Sequence, residues 1–264
     1  MMSETLPQLG RLQDHDHILP IIELYTAIQA EGSRAGYPTI IIRTTGCTHR
    51  CHFADGGWCD TWYSSIHPEK GRYTFNAIKQ LYADNPHIRE MMITGGSPTM
   101  HPVLLNELTH FAQQQQLYVT LETEGSHFVA TDYPIDLISI SPKLANSIPR
   151  IGLTTPQGKR VDQRMLDQHH QYRMNQTAMA ALIAYHADYH IKPVLDAELS
   201  VVAELELFLQ ALQIPDEKVW LMPAGDNRAA LSRSYGPVMN YARDRGWRFT
   251  PRPQIMAFDT ERGV

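Results

Sequence analysis

From residue 18 onward, short apolar runs alternate with longer amphipathic stretches. The runs at 39–44 (TIIIRT), 90–94 (EMMIT), 118–123 (YVTLET), 136–141 (DLISIS), 188–194 (DYHIKPV) and 219–222 (VWLM) are rich in β-branched and aromatic residues. They read as strands, with a weaker one at 247–250 (WRFT). Between them apolar positions recur at helical spacing. In 203–213, Leu205, Phe208, Leu209 and Leu212 form one stripe, and 74–83, 103–115, 177–185 and 227–245 repeat the pattern. Repeated strand–helix alternation predicts an α/β fold with a mostly parallel sheet. Periodicity alone leaves a doubly wound sheet and an open or complete barrel both possible. Nearly every predicted strand ends in small or polar groups: Gly46-Cys47, Thr94-Gly95-Gly96-Ser97, Glu122-Thr123-Glu124-Gly125, Ser141-Pro142-Lys143 and Met222-Pro223-Ala224-Gly225. In parallel α/β folds ligands sit at the carboxyl ends of the strands, so these groups are expected to face one cleft.

Composition narrows the classes. The chain has 264 residues, 43% hydrophobic and 19% charged, enough for one domain with a sizeable core and too apolar for disorder. We expect a single domain over 18–264 and a loose, polar, flexible arm over 1–17. The net charge of −5 lacks the basic footprint of direct nucleic-acid binding. No run of about 18 apolar residues suggests a membrane span, and the N-terminus has no apolar signal region. A cytoplasmic location is the expectation. QQQQ at 113–116 should cap a solvated helix end, and His169-His170, inside the polar stretch 157–176, should be solvated.

The three cysteines, Cys47, Cys51 and Cys59, lie within thirteen residues. An odd number in one loop is no disulfide framework; clustered cysteines in a cytosolic chain point to metal or catalysis. The loop GCTHRCHFADGGWCDT has the spacing C-x3-C-x7-C. Three thiolates can hold three irons of a [4Fe–4S] cluster and leave the fourth open, whereas electron-transfer clusters use four cysteines. The alternative is a Cys3His zinc site completed by His49, His52 or His67. The Thr94–Thr99 stretch, TGGSPT, is either a tight turn or a place where backbone approaches a ligand. A ligand becomes the better reading once it shares a cleft with the cysteines.

These residues reach a family resemblance. Ile28-Gln29-Ala30-Glu31-Gly32, Gly36-Tyr37-Pro38, Arg43-Thr44-Thr45-Gly46-Cys47, Trp58-Cys59-Asp60-Thr61, Thr94-Gly95-Gly96, Glu122-Thr123-Glu124-Gly125 and Ser141-Pro142-Lys143 stand in order over about residues 22 to 143. The chain thereby resembles the radical S-adenosylmethionine (SAM) superfamily and, within it, the 7-carboxy-7-deazaguanine synthase family of queuosine and 7-deazapurine biosynthesis. The resemblance implies an incomplete, modified (β/α) barrel. It departs from the pattern in two places. The usual second cysteine gap is two residues rather than seven, with Asp55-Gly56-Gly57 supplying a turn in the insertion. And Ser97 stands where many superfamily members carry the glutamate that receives the SAM amino group, so a hydroxyl, backbone carbonyls or another carboxylate must replace it.

Residue by residue, the resemblance implies that Cys47, Cys51 and Cys59 ligate the cluster and that Gly96, Ser141, Pro142 and Lys143 cradle SAM. Thr61 is implied as a ligand of Mg2+, which prefers oxygen donors; a local cap is the plainer alternative. Ile28, Gln29, Ala30, Arg43 and Thr94 are implied to contact a carboxylated pterin. Arg43 suits the carboxylate through its planar fork, unless an ion pair with Glu31 or Glu122 claims it. Glu31 and Glu122 either hydrogen-bond the pyrimidine edge or orient Arg43, His49 and His52 face solvent or adenine, and Arg252 and Gln254 close over the pterin. The implied reaction is radical ring contraction of 6-carboxy-5,6,7,8-tetrahydropterin to 7-carboxy-7-deazaguanine with loss of ammonia, through a 5′-deoxyadenosyl radical. The implied partners are a flavodoxin- or ferredoxin-type reductant and a second copy in a homodimer. The rival expectations are another radical SAM enzyme, such as a glycyl-radical-enzyme activase, and a zinc-stabilised binding protein without catalysis.

Overall fold

The computed structural model describes residues 9–53 and 57–264. The chain runs β1 (Ile21–Ile28), β2 (Pro38–Thr44), β3 (His52–Phe53), β4 (Gly57–Trp58), α1 (Trp62–Ser65), α2 (Phe75–Asp84), β5 (Glu90–Gly95), α3 (Pro102–Gln115) and β6 (Tyr118–Thr123). It continues through β7 (Leu137–Ile140), α4 (Gln163–Tyr172), α5 (Gln176–Tyr185), β8 (Tyr189–Ile191), β9 (Val194–Leu195), α6 (Val202–Ala211), β10 (Trp220–Pro223), α7 (Arg228–Arg245), β11 (Arg248–Phe249) and α8 (Pro253–Phe258). Strands β1-β2-β5-β6-β7-β8 form one sheet, parallel except for β1, which pairs antiparallel with β2. A parallel sheet β11-β10-β9 continues the curve through an isolated parallel bridge, Ile191 to Val219. The result is the expected α/β architecture, an open, mostly parallel (β/α) barrel.

The local chemistry is ordinary. Thr74, Asp162, Asn175 and Asn227 cap α2, α4, α5 and α7 by accepting from backbone N–H groups three residues on. The parallel strands read as near-continuous apolar runs because both faces are covered: Ile40, Ile42, Met91, Ile93 and Ile138 are fully or almost fully buried. The stripe on α6 is partly as expected, with Leu205, Phe208 and Leu209 buried. Gln113 to Gln116 are exposed at the end of α3.

Three features differ from the expected pattern, and the cysteine-loop insertion takes a definite form. The strand β1 was not foreseen. It is an edge strand, and its pattern IIELYTAI mixes buried and half-exposed positions without the clean run of a central strand. The single strand expected over 188–194 is two, β8 and β9, because Pro193 has no N–H to give the ladder. The stretch 157–176 contains α4, whose His169 is fully buried rather than solvated; His170 is exposed. The six-residue insertion between Cys51 and Trp58 contains a two-stranded hairpin, β3 with β4. The Asp55-Gly56 part of its turn lies outside the described residues, as do residues 1–8 of the expected arm. From residue 9 on, the chain is tied down by Arg11 and His15, which both bind Glu107. Among the described residues no helix is long and apolar enough to cross a membrane.

Candidate active site

The cysteine loop leaves β2 through Gly46, whose φ of +89° suits glycine. Gly46 N–H donates to the Ser64 carbonyl (2.7 Å), and its own carbonyl accepts from Ser97 N–H (2.7 Å). The hairpin of β3 and β4 then brings the chain back, closed by Cys59 N–H on the Cys51 carbonyl (3.0 Å). The long second gap therefore does not separate the thiols. Cys47, Cys51 and Cys59 all line one cavity at the carboxyl ends of the parallel strands. Opposite them runs the turn after β5. A Cβ on Gly96 would lie 2.1 Å from the Gly46 carbonyl oxygen and 2.7 Å from that of Ser64. Gly96→Ala must therefore push the cysteine loop away. We expect it to lower stability by about 2 kcal/mol and to lower the iron retained after anaerobic reconstitution, read by thermal melting and iron analysis.

Burial pushes all three thiols up, Cys51 to about 12, Cys59 to about 11 and Cys47 well above its ordinary value. The neighbouring acidic groups, among them the other thiols, add to this. Left to themselves they are neutral; a strongly cationic centre is what would turn them into ligands. No group of three or more His, Cys, Asp or Glu side chains among the described residues converges tightly enough for a single metal ion. A zinc ion needs its donors about 2.3 Å from one point. Three thiols lining one cavity suit an iron–sulfur cubane, which takes one cysteine sulfur per iron. The proposed zinc histidines are engaged elsewhere: His67 Nε2 pairs with Thr155 Oγ1 (2.8 Å), and His52 stacks edge-on against Trp58. His49 lines the cavity but is buried, not solvent-facing. Burial drives it down to about 2, and His169 sits edge-on beside it (5.1 Å). The donor chemistry, the open space at Gly46 and the close backbone turn at Gly96 thus fit a cubane with a small ligand beside it.

The other expected residues divide. Ser141 and Lys143 line the cavity, with Lys143 Nζ donating to Ser141 Oγ (2.8 Å); Pro142 is buried behind them. Ile28, Ala30, Arg43 and Thr94 line it too. Gln29 does not: it is buried, with Nε2 unpartnered among the described residues. Arg43 is not paired with Glu31 or Glu122. Its Nε donates to Glu23, which also accepts from Tyr63 Oη (3.3 Å) and Arg262 Nη2 (3.0 Å). Burial disfavours the Arg43 charge, but the acidic groups around it outweigh that and hold it firmly protonated. No hydrogen bond forms at its terminal nitrogens among the described residues. Thr61 lines the cavity at the start of α1, and its Oγ1 donates to Asp60 Oδ1 (2.9 Å).

Glu31 and Glu122 instead share Lys192, the residue before Pro193 at the break between β8 and β9. Lys192 is 1% exposed, donates to Glu31 Oε2 (2.8 Å) and pairs with Glu122 Oε1. Burial alone would discharge it; Glu122 and Glu31 hold its pKa above the ordinary value. Glu31 in turn accepts from Arg252 Nε (3.1 Å) and Gln254 Nε2 (2.8 Å), so the C-terminal segment is fastened to the cavity. Arg252 also binds Asp60 and the Gly225 carbonyl. Lys192 was missed in the sequence, although a lysine inside the apolar run YHIKPV was a legible signal.

An open (β/α) barrel with a three-cysteine loop at the end of its second strand defines a radical SAM enzyme. Among solved structures the chain is similar to QueE from Escherichia coli, with a TM-score of 0.54 and 21% identity over 88% of this chain and 92% of that one. In sequence it is 34% identical over 263 residues to the 7-carboxy-7-deazaguanine synthase of Halobacterium salinarum, covering 96% of each chain. It is 31% identical to that of Rhodopirellula baltica, covering 97% of this chain and 92% of the relative. No family model matches it. The chain belongs to the 7-carboxy-7-deazaguanine synthase family. Membership carries with it the use of SAM and an iron–sulfur centre.

Proposed function

We propose that the protein converts 6-carboxy-5,6,7,8-tetrahydropterin to 7-carboxy-7-deazaguanine, contracting the ring and releasing ammonia. The observation that supports this most is the meeting of three thiols and a carboxylate–cation network in one cavity. Cys47, Cys51 and Cys59 would hold a [4Fe–4S] cluster, and Gly96, Ser141, Pro142 and Lys143 would border SAM. When bound, this pair supplies one-electron cleavage of a sulfonium and hydrogen-atom abstraction from the substrate, chemistry that no side chain offers.

The chain's own residues bind and orient. Arg43, fixed at Nε by Glu23, keeps its terminal nitrogens for the substrate carboxylate. Glu31 and Glu122 can accept from the donor edge of the pyrimidine ring, and Lys192, between them, holds both in place. Ile28, Ala30 and Thr94 give the flat faces and rim of the bicycle. Arg252 and Gln254 seal the cavity against water through Glu31. Thr61 Oγ1 would ligate Mg2+ after releasing Asp60 Oδ1, with the substrate carboxylate and water filling the remaining positions. The enzyme would work as a homodimer fed by a flavodoxin- or ferredoxin-type reductant.

The test is anaerobic reconstitution with iron and sulfide, followed by incubation with the carboxylated tetrahydropterin, SAM, Mg2+ and a reductant. Four irons per chain and a product lighter by ammonia support the proposal. Cleavage of SAM without that product overturns the substrate. A colourless protein with one zinc and no sulfide overturns the chemistry. Thr61→Ala should keep its cluster and need several-fold more Mg2+ for half-maximal rate; a Mg2+ titration equal to the parent's removes Thr61 from the site.

A further inference from the structure

Two acidic side chains that line the cavity, Glu124 and Asp226, form no salt bridge among the described residues, and of these only Glu124 is buried. Glu124 is 5% exposed and lines the cavity beside the cysteines. Its Oε1 accepts from Ser97 Oγ (2.5 Å) and Thr48 Oγ1 (3.2 Å), and Thr48 is backed in turn by Ser126 Oγ (3.1 Å). Its Oε2 has no hydrogen-bond partner among the described residues, although buried carboxylate oxygens are almost always satisfied. All its donors are neutral hydroxyls. Arg43, Lys192 and Arg252 are spent on other acids, and Lys143 Nζ is turned to Ser141 Oγ. Lone buried carboxylates are costly, so this one waits for a donor of positive or partly positive character.

We infer that Glu124 receives the α-amino group of SAM on Oε2, with Ser97 and Thr48 clamping the other oxygen so that the free one faces the ligand. The inference rests on the reading of the cavity as a SAM site. A divalent cation is the poorer occupant: it takes about six oxygens and several carboxylates, and Glu124 offers one oxygen outside any metal-holding group. An amino group needs only a few acceptors. The Gly95 and Gly96 backbone on the same wall completes the set. The departure at Ser97 then has a physical meaning. Ser97 is fully buried and does not line the cavity, and its hydroxyl serves instead as the positioning group for a carboxylate delivered by the turn after β6.

The test compares two ligands by anaerobic calorimetry on the reconstituted protein without pterin: SAM, and the analogue with hydrogen in place of the α-amino group. The parent should prefer SAM. Glu124→Gln should reduce that preference about tenfold or more, the worth of one charge-assisted hydrogen bond, while the analogue binds as before and iron content is unchanged. Ser97→Ala, which keeps the carboxylate but loosens it, should reduce the preference by a smaller factor and guards against a Glu124 variant that fails to assemble. A preference unchanged in both variants overturns the inference and leaves the reading of the cavity intact. A parent that binds neither ligand overturns that reading and the inference with it.

Discussion

Cys51→Ala is expected to fold, to lose the four-iron centre and to turn over no substrate. The substitution removes a single buried sulfur. The cavity left is small, so the fold should survive with a loss of about 1 kcal/mol. Burial makes the Cys51 thiol a poor acid, raised to about 12, so in the absence of metal it contributes packing and little else. Its contribution as a ligand is different in kind. Cys51 and Cys59 face each other through the backbone hydrogen bond that closes the hairpin. Anaerobic iron and sulfide analysis with a visible spectrum decides the matter. A variant retaining four irons and the parent spectrum would show that Cys51 is no ligand.

Lys192→Met should produce the largest loss of stability. The change keeps the side-chain length and strips the charge that Glu31 and Glu122 share. Removing one partner of a buried ion network costs about 3–5 kcal/mol, which for a chain of this size lowers the melting temperature by roughly 10 °C. The loss must depend on pH. Burial would raise the Glu31 pKa, but Lys192 and Arg252 overcome it and depress it far below the ordinary value. Glu31 therefore stabilises the folded chain above the ordinary carboxylate pKa of about 4.5, and that contribution is lost as pH falls toward the depressed value. Lys192, whose pKa is raised, contributes in full below about 10.5 and loses its share as pH climbs through the raised value. The gap between parent and variant should be widest from about pH 5 to 10 and should narrow on the acid side. Melting curves across that range check it. A gap that does not change with pH would mean that Lys192 acts by packing alone.

How far the site could be read in the sequence depended on whether a residue's role is local. The motif residues at strand ends follow from the pattern, because a parallel sheet sends every carboxyl end to one side. That is why Cys47, Thr94, Gly96 and Ser141, far apart in the chain, could be placed together. Pairing was not legible. Arg43 chose Glu23 on the antiparallel strand β1, and β1 itself had no clear period, so the partner belonged to an element that the pattern did not announce. Lys192 looked like part of a strand; only its position at the Pro193 break shows why the side chain turns inward to two acids.

The amino-acid order by itself determined the α/β class with a mostly parallel sheet and the set of strand-end groups gathered in the cleft, because hydrophobic periodicity and the strand-end motifs are properties of short segments; the open barrel was implied only through the family resemblance those motifs carry. The tertiary structure alone decided which charges neutralise one another, that His169 is buried, that a hairpin restores the third cysteine to the others, and that Glu124 is left with an unclaimed oxygen. Apart from the local hairpin, those facts depend on distances between residues tens to hundreds of positions apart. Burial there strips away the water that would otherwise make each choice of partner nearly equal in energy.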